Sequence, residues 1–312
     1  MSSYRVVVIV TCFNYGRFLA DSLGSMFSQT RPPDTVIVVD DGSTDETPTL
    51  LADWERIEPS LVAIRKANGG QLSSFNAAIG SVGDEDLVFF LDADDSYASD
   101  YIETVLGRAD SAFPFYLTRP CFFGEEPGPA IGNSSSKTDK TVWLLAASNF
   151  LRQWPVWLGG AATSGFVVRG WLLREILPYE DEEGWRICAD NVLYYGASSL
   201  GHPMAFLTDI NFNYRIHGDN GWYRNTDGEL ISKKREALDR LFTAVDNRQG
   251  VRPGTRLAPC VKRFVLACQE YLSLDASERA SIGAPSPVQL ARRTLKRWIW
   301  VLAGLWDKRT PG

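Results

Sequence analysis

Apolar residues recur in two rhythms along the first third of the chain. Residues 5–13 are a continuous, largely β-branched run, which suits a strand buried on both faces. Residues 16–29 then place Phe18, Leu19, Leu23, Met26 and Phe27 at helical spacing. A second apolar run, 35–39, stops at Asp40-Asp41-Gly42-Ser43, a turn after which Ser43 or Thr44 can cap a helix. Residues 61–64 predict a third strand, 72–79 a helix, 86–91 a fourth strand ending in acidic residues, and 99–106 another helix. Strands alternating with helices predict an α/β fold of parallel βαβ units with right-handed crossovers. Ligands of such sheets bind beyond the carboxyl ends of the strands. The polar clusters at 11–14, 40–45 and 92–95 all fall there, which predicts one shared site.

The later chain reads differently. Residues 120–140 are rich in Gly, Pro and Ser and predict a mobile loop. From about residue 227 the chain turns helical and charged, with candidate helices at 229–247, 256–274 and 287–306. The last carries a stripe of Leu295, Trp298, Leu302 and Leu305 beside Arg292, Arg293, Lys296 and Arg297. A basic, Trp-rich amphipathic helix can lie on an anionic membrane, although packing on its own domain is the commoner use of such a stripe.

Composition narrows the function classes. The chain has 312 residues, 45% hydrophobic and 22% charged, which is an ordinary globular balance. Its net charge of −6 argues against a nucleic-acid binder. The five cysteines, Cys12, Cys121, Cys188, Cys260 and Cys268, are scattered and form no CxxC pair. They read as reduced, small buried hydrophobes with no zinc site, in a cytosolic protein. No apolar run approaches the roughly 20 residues of a membrane-spanning helix. No small-residue cleavage site follows residues 6–10, so no signal peptide is expected. The expected location is the cytoplasm, with peripheral contact on the inner face of the membrane open through the last helix.

The acidic clusters carry the chemistry. Asp92, Asp94 and Asp95 crowd three carboxylates into four positions at a strand end. A hard divalent cation, Mn²⁺ or Mg²⁺, takes oxygen ligands and keeps positions open for phosphate oxygens. A solvated acidic turn explains the same run without a ligand. Asp40 and Asp41 offer carboxylates at a pocket edge that can accept a base N–H. Thr11, Phe13 and Asn14 follow the first strand, where a base or ribose can sit, though a cap by Asn14 is the plainer use. Asn68-Gly69-Gly70-Gln71 follows the third strand, where glycine lets backbone approach a ligand closely or simply makes a tight turn.

Together these segments resemble glycosyltransferase family two. The resemblance rests on VIVTCFNYGRFL at 8–19, VIVVDDGSTDET at 36–47, NGGQLSSFN at 68–76 and FFLDADD at 89–95, in the family's order and with similar gaps. It covers residues 4–110 closely. It continues loosely through Thr163-Ser164-Gly165 and Ala189-Asp190-Asn191 to Tyr214-Arg215-Ile216-His217. The resemblance implies a GT-A fold with a mainly parallel central sheet and a C-terminal helical extension. The implied catalytic domain is 1–225, with a nucleotide-binding half at 1–110 and an acceptor-side half at 111–225; the extension is 226–312. It implies an inverting glycosyltransferase that moves a sugar from a nucleotide diphosphate donor, UDP by default, to an acceptor hydroxyl. The acceptor implied is a saccharide or a lipid-linked one, in surface polysaccharide or glycolipid synthesis.

Carried over residue by residue, Thr11 and Asp41 match nucleobase positions, with Phe13, Asn14, Asn68 and Gln71 around the nucleotide. Asp92, with Ala93, matches a ribose-side contact. Asp94, with Asp95, matches the metal ligand, and His217 a further ligand to metal or phosphate. Asp190 matches the catalytic base. The family usually has Glu-Asp or Gly-Asp there; Ala189-Asp190 leaves one carboxylate. A helix N-cap is the structural alternative for Asp190. Trp154, Trp157 and Trp185 can stack on a sugar ring but fit a core better, and His202 reads as a surface residue. A non-catalytic nucleotide-sugar binding module is the competing reading, although every expected aspartate is present. A dinucleotide-dependent oxidoreductase needs GxGxxG after the first strand, where this chain has Thr-Cys-Phe-Asn-Tyr-Gly.

Overall fold

A computed structural model describes residues 4–109, 113–125, 141–145, 162–200, 202–220 and 228–248. Its strands are β1 (Val6–Cys12), β2 (Thr35–Asp40), β3 (Leu61–Arg65), β4 (Leu87–Asp92), β5 (Phe115–Gly124), β6 (Thr141–Leu145), β7 (Phe166–Arg169) and β8 (Pro203–Ile216). The helices are α1 (Gly16–Phe27), α2 (Thr47–Ile57), α3 (Gln71–Ala78), α4 (Tyr101–Leu106), α5 (Gly170–Ile176), α6 (Asp190–Leu200) and α7 (Gly228–Arg248). The sheet order is β3-β2-β1-β4-β7-β5-β8-β6.

The first four strands run parallel, as their alternation with helices predicts. The far half is mixed. β7 is antiparallel to both β4 and β5, β5 and β8 are parallel, and β6 is antiparallel to β8. Alternate strand residues feed two cores. Val7, Ile9, Val88, Phe90, Phe115 and Leu117 meet α3, α5, α6 and α7 on one face. Val6, Val8, Val10, Phe89, Leu91 and Tyr116 meet α1, α2 and α4 on the other. Burial on both faces is why β1, β2 and β4 read as unbroken apolar runs. The described helix of the expected extension, α7, puts Ala237, Leu241, Phe242 and Val245 into the first of these cores.

Several expectations change. Neither Ser43 nor Thr44 caps α2. The chain needs three more residues to turn, so Glu46 is the N-cap and makes no side-chain cap bond. Ser43 instead receives the backbone N–H of Asn14. The expected loop at 120–140 begins as strand: β5 continues to Gly124 because β8 pairs with it as far as Ile216. Residues 126–140 lie outside the described residues. Cys12 is buried, but Cys121 is exposed near the end of β5 and Cys188 is half-buried. Trp185 is fully buried in the core. Cys260, Cys268, Trp154, Trp157, both later candidate helices and the amphipathic stripe lie outside the described residues. Among those described, no helix is long and apolar enough to cross a membrane.

Phe90 sits two residues before Asp92, fully buried and 5.0 Å edge-on to Phe75. Phe90→Ala should cost about 3–5 kcal/mol in urea unfolding. A loss below about 1 kcal/mol would contradict the packing described.

Candidate active site

The carboxyl ends of β1, β2 and β4 bring the polar clusters together. Thr11, next to last in β1, pairs with Asp92 in register, and its hydroxyl donates to Asp92 Oδ1 at 2.8 Å. Gln71, the first residue of α3, donates Nε2 to the same oxygen at 3.1 Å and to Thr163 Oγ1 at 3.1 Å. Its Oε1 accepts the Ala189 N–H at 2.8 Å, and its own N–H bonds Arg186 O at 2.8 Å. One side chain thus ties β4 to the segment carrying Asp190.

A second network surrounds Asp94 and Asp95. Ser164, in the turn before β7, receives the Asp92 N–H at 3.0 Å and donates to Asp95 Oδ2 at 2.6 Å. Asp95 Oδ1 accepts the Arg215 N–H at 2.9 Å. Both oxygens of Asp95 are therefore engaged within the protein. Asp94 Oδ2 lies 2.9 Å from His217 Nε2 and 3.3 Å from Asn220 Nδ2. The Asp219 N–H points at His217 Nδ1 at 3.2 Å, so Nε2 carries the ring proton and donates to Asp94. Tyr15 and Phe18 pack on the imidazole, with ring centroids 5.4 Å and 4.7 Å away. Arg215 binds Asp94 O and the Asp21 carboxylate, each at 2.9 Å.

Residues expected at the nucleobase have a different partner set. Asp41 is buried, and its carboxylate accepts Lys66 Nζ, the Gly69 N–H at 2.8 Å and the Gly70 N–H at 2.7 Å. It shapes the Asn68–Gly70 turn from within. Asn14, at φ 55, accepts the Thr44 N–H at 2.7 Å and so ties the loop after β1 to the loop after β2. Phe13 stands 44% exposed beside this loop, an apolar ring with room for a planar partner. Asn68 is exposed and accepts a bond from the Arg186 guanidinium. Ala93 is fully buried and donates its N–H to Thr11 O at 3.1 Å.

Asp190 opens α6 and accepts the Asn191 N–H at 2.9 Å. Burial pushes its carboxyl up to about 6, against the pull of that N–H and of Lys234. Burial, then the charge of Asp94, also raises Asp92, and Asp190 adds to it. Asp95 is held well above the ordinary range by burial and by Asp94 and Asp92. The Tyr214 phenol is raised by burial and by Asp95, Asp94, Asp92 and Asp190, so it shares its surroundings with all four. His202, expected at the surface, is half-buried, 3.4 Å from Glu175 and away from this network.

These donors suit a divalent cation only in part. Among the described residues no three His, Cys, Asp or Glu side chains converge as a metal cage. Mg²⁺-type ions need none, because one or two protein ligands and substrate phosphates complete them. Adjacent ligands of an octahedral ion at about 2.1 Å stand about 3 Å apart, and Asp94 Oδ2 to His217 Nε2 is 2.9 Å. Repelling carboxylates on one sheet edge also favour a positive counterion. Asp94 and His217 therefore fit as two ligands of such an ion.

Known proteins resemble this chain in sequence and in fold. The family model for "Glycosyl transferase family 2" matches residues 7–146. A glycosyltransferase of Nostoc sp., alr2836, is 29% identical over 217 residues, covering 69% of this chain and 66% of that one. Just under half of the chain, residues 7–146, is thus similar to glycosyl transferase family 2.

TuaG of Bacillus subtilis, named for teichuronic acid biosynthesis, is a family relative 28% identical over 138 residues, 44% of this chain and 52% of TuaG. The matches thus span between about half and two thirds of these relatives. Staphylococcus aureus TarS 1–349, solved with UDP, shares the fold at a TM-score of 0.58 and 17% identity, covering 91% of this chain and 77% of TarS. Mannosyltransferase PcManGT of Pyrobaculum calidifontis, solved with GDP-Man and Mn²⁺, gives 0.52 and 15%, covering 99% and 89%. The architecture is a GT-A-like α/β fold with an open mixed sheet.

Reading the sequence missed Asn220 and Lys66, and put Thr163 and Ser164 on the acceptor side instead of among the aspartates. None has a local signal; Ser164 and Asp95 are 69 positions apart. Gly70, at φ +88, packs so closely that a Cβ would sit 2.4 Å from Arg186 Cα. Gly70→Ala should therefore cost about 1–3 kcal/mol in chemical denaturation. It should also lower donor turnover by shifting the segment before Asp190. Wild-type stability in that variant would show that the contact does not constrain the site.

Proposed function

We propose that this chain is an inverting, metal-dependent glycosyltransferase with Asp190 as its base. One observation carries the reading: Gln71 bonds both Asp92 and the Ala189 N–H, which brings the buried Asp190 carboxyl, pushed up to about 6, within range of the Asp92 charge. An acid near that value is ionised at neutral pH yet basic enough to take a proton in the transition state. The acceptor hydroxyl gives its proton to the Asp190 carboxylate while its oxygen bonds to the anomeric carbon. The bond from that carbon to the diphosphate oxygen breaks, its electron pair leaves with the nucleotide, and attack from the opposite face inverts the centre.

In this reading Asp94 and His217 hold Mn²⁺ or Mg²⁺. When bound, the ion offsets charge growing on the leaving diphosphate. Asp95 braces the site through Ser164 and Arg215. Thr11 and Gln71 orient Asp92 toward the ribose. Phe13, Asn14, Asn68 and the turn held by Asp41 frame the base. The nucleotide we assign is UDP, supported by TarS being solved with UDP and with UDP-GlcNAc. GDP is the competing nucleotide, supported by PcManGT with GDP-Man. The acceptor is a saccharide or lipid-linked saccharide of a surface polymer, supported by the name of TuaG. We place the reaction on the cytoplasmic side, with the acceptor binding in the 111–225 half.

A thermal-shift series with UDP, GDP and dTDP, with and without Mn²⁺, tests the donor site, because a bound ligand raises apparent stability. One nucleotide should stabilise the protein, more so with metal. Asp94→Ala should weaken that metal-dependent binding by at least about tenfold; equal binding with and without the ion would refute the ligand assignment. Asp190→Asn should lower sugar transfer by about 10²–10⁴-fold and leave nucleotide binding intact. Near-normal turnover in Asp190→Asn would remove the base from this reading. Turnover should also rise with pH through about 6, where Asp190 ionises, and a flat profile from pH 5 to 8 would argue against it.

A further inference from the structure

The segment before Asp190 is gripped from two sides. On the donor side, Gln71 bonds Arg186 O and the Ala189 N–H, and Gly70 lets the Arg186 backbone approach. On the other side stands α7, beyond the matched residues 7–146. Lys234 of α7 donates Nζ to Gly184 O at 3.1 Å and to Ile187 O at 2.5 Å. Its ammonium lies 4.6 Å from the centroid of the Trp185 ring, itself fully buried. Lower down, Arg240 pairs with Asp181 at 2.8 Å. Arg248 donates to the carbonyls of Glu175, Ile176 and Pro178 at 3.2, 3.1 and 2.7 Å. Three cations of one helix thus hold the whole connection from α5 to α6.

We propose that Lys234 is a positioning residue for Asp190, and that α7 is part of the catalytic unit. The inference rests on Asp190 being the base. Two carbonyls and an aromatic face fix the ammonium, and the ammonium fixes residues 184–187. Cys188 follows with φ 57, a left-handed conformation uncommon outside glycine, which the bonds on either side maintain. Asp190 begins its helix two residues later. A shift of that turn misplaces the carboxylate, and misplacement of about 1 Å can cost about a hundredfold in rate.

Lys234 also adds a charge. It faces Asp190 from α7, while Asp92 of β4, Tyr214 of β8, and Cys188 and Tyr195 beside or within α6 face it from the other elements. Among these groups Lys234 is the cation, and its field favours the ionised carboxylate.

The test compares K234M, K234Q and K234R in the full chain. Turnover is read as nucleoside diphosphate released from UDP-GlcNAc or GDP-mannose, whichever the wild type consumes. Asp190 is followed by ¹³C NMR of its carboxyl carbon, assigned by its absence in D190N. K234M should lower kcat at least about tenfold with donor KM within about twofold. Its Asp190 midpoint should move upward from about 6. K234Q keeps a donor for one carbonyl, guards against failure of K234M to fold, and should show the same upward movement. K234R keeps the cation and should restore the wild-type midpoint and most of kcat. An unmoved midpoint with wild-type kcat in K234M, or in K234Q if K234M does not fold, overturns the proposal. Failure of the base assignment is separate: D190N would then turn over donor normally, whatever the lysine variants do.

Discussion

Burying several like charges on one sheet edge is the constraint that organises this molecule. Like charges about 4 Å apart repel by about 4 kcal/mol at the effective dielectric of a protein near its surface. Donors that reach Asp92, Asp94 and Asp95 from four separate segments offset part of that penalty, which still raises Asp92 and Asp95. Thr11, Gln71, Ser164, the Arg215 N–H, His217 and Asn220 each supply a proton to one of the three. The insertion of β7 between β4 and β5 places Ser164 under the cluster. The pairing of β8 with β5 brings residues 215–220 over it. Asp95 has both oxygens engaged in this bracing, whereas the bonds to Asp92 fall on Oδ1 and those to Asp94 on Oδ2.

The two halves of the fold differ in how they make their polar ends. In the parallel half each strand simply stops, and its next residues turn into a helix or loop above the sheet edge. In the mixed half the strands overrun that edge and fold back, so β5 and β8 reach Gly124 and Ile216 as a long pair. The parallel half therefore ends in turns, and the mixed half in strand ends. The α7 helix closes the lower side through the shared core and its three basic residues.

How much of this was readable in advance follows from contact range. β1 to β4 and their helices are predicted within two residues at most ends, because continuous apolar runs and 3.6-residue stripes are local signals. That the ends of β1, β2 and β4 bring Thr11 and Asp92 to one edge was also legible, since strand ends in parallel sheets share one edge; Gln71 and His217 were linked to them only by the family resemblance. Asp41 was read as an open acceptor, yet Lys66, Gly69 and Gly70 saturate it. A carboxylate looks the same in sequence whether its partner is a ligand or a turn. The strand character of 120–124 was hidden by Pro120 and Gly124, which normally signal loops, and only β8, some ninety positions on, makes them strand. Ser164, Asn220 and Lys234 act through bonds that span about 50 to 130 positions and leave no periodic trace.

Gln71 has a consequence of its own. A primary amide is the smallest uncharged side chain offering two donors and an acceptor in one plane, and here all three functions are in use, toward Asp92, Thr163 and Ala189. Glutamate would turn the donors into another negative charge, and leucine would orphan the Ala189 N–H. The side chain thus acts as a gauge block between the strand bearing the acidic run and the segment leading into the helix that Asp190 opens. Their separation is set by the length of one amide, so a shift of either element is passed to the other.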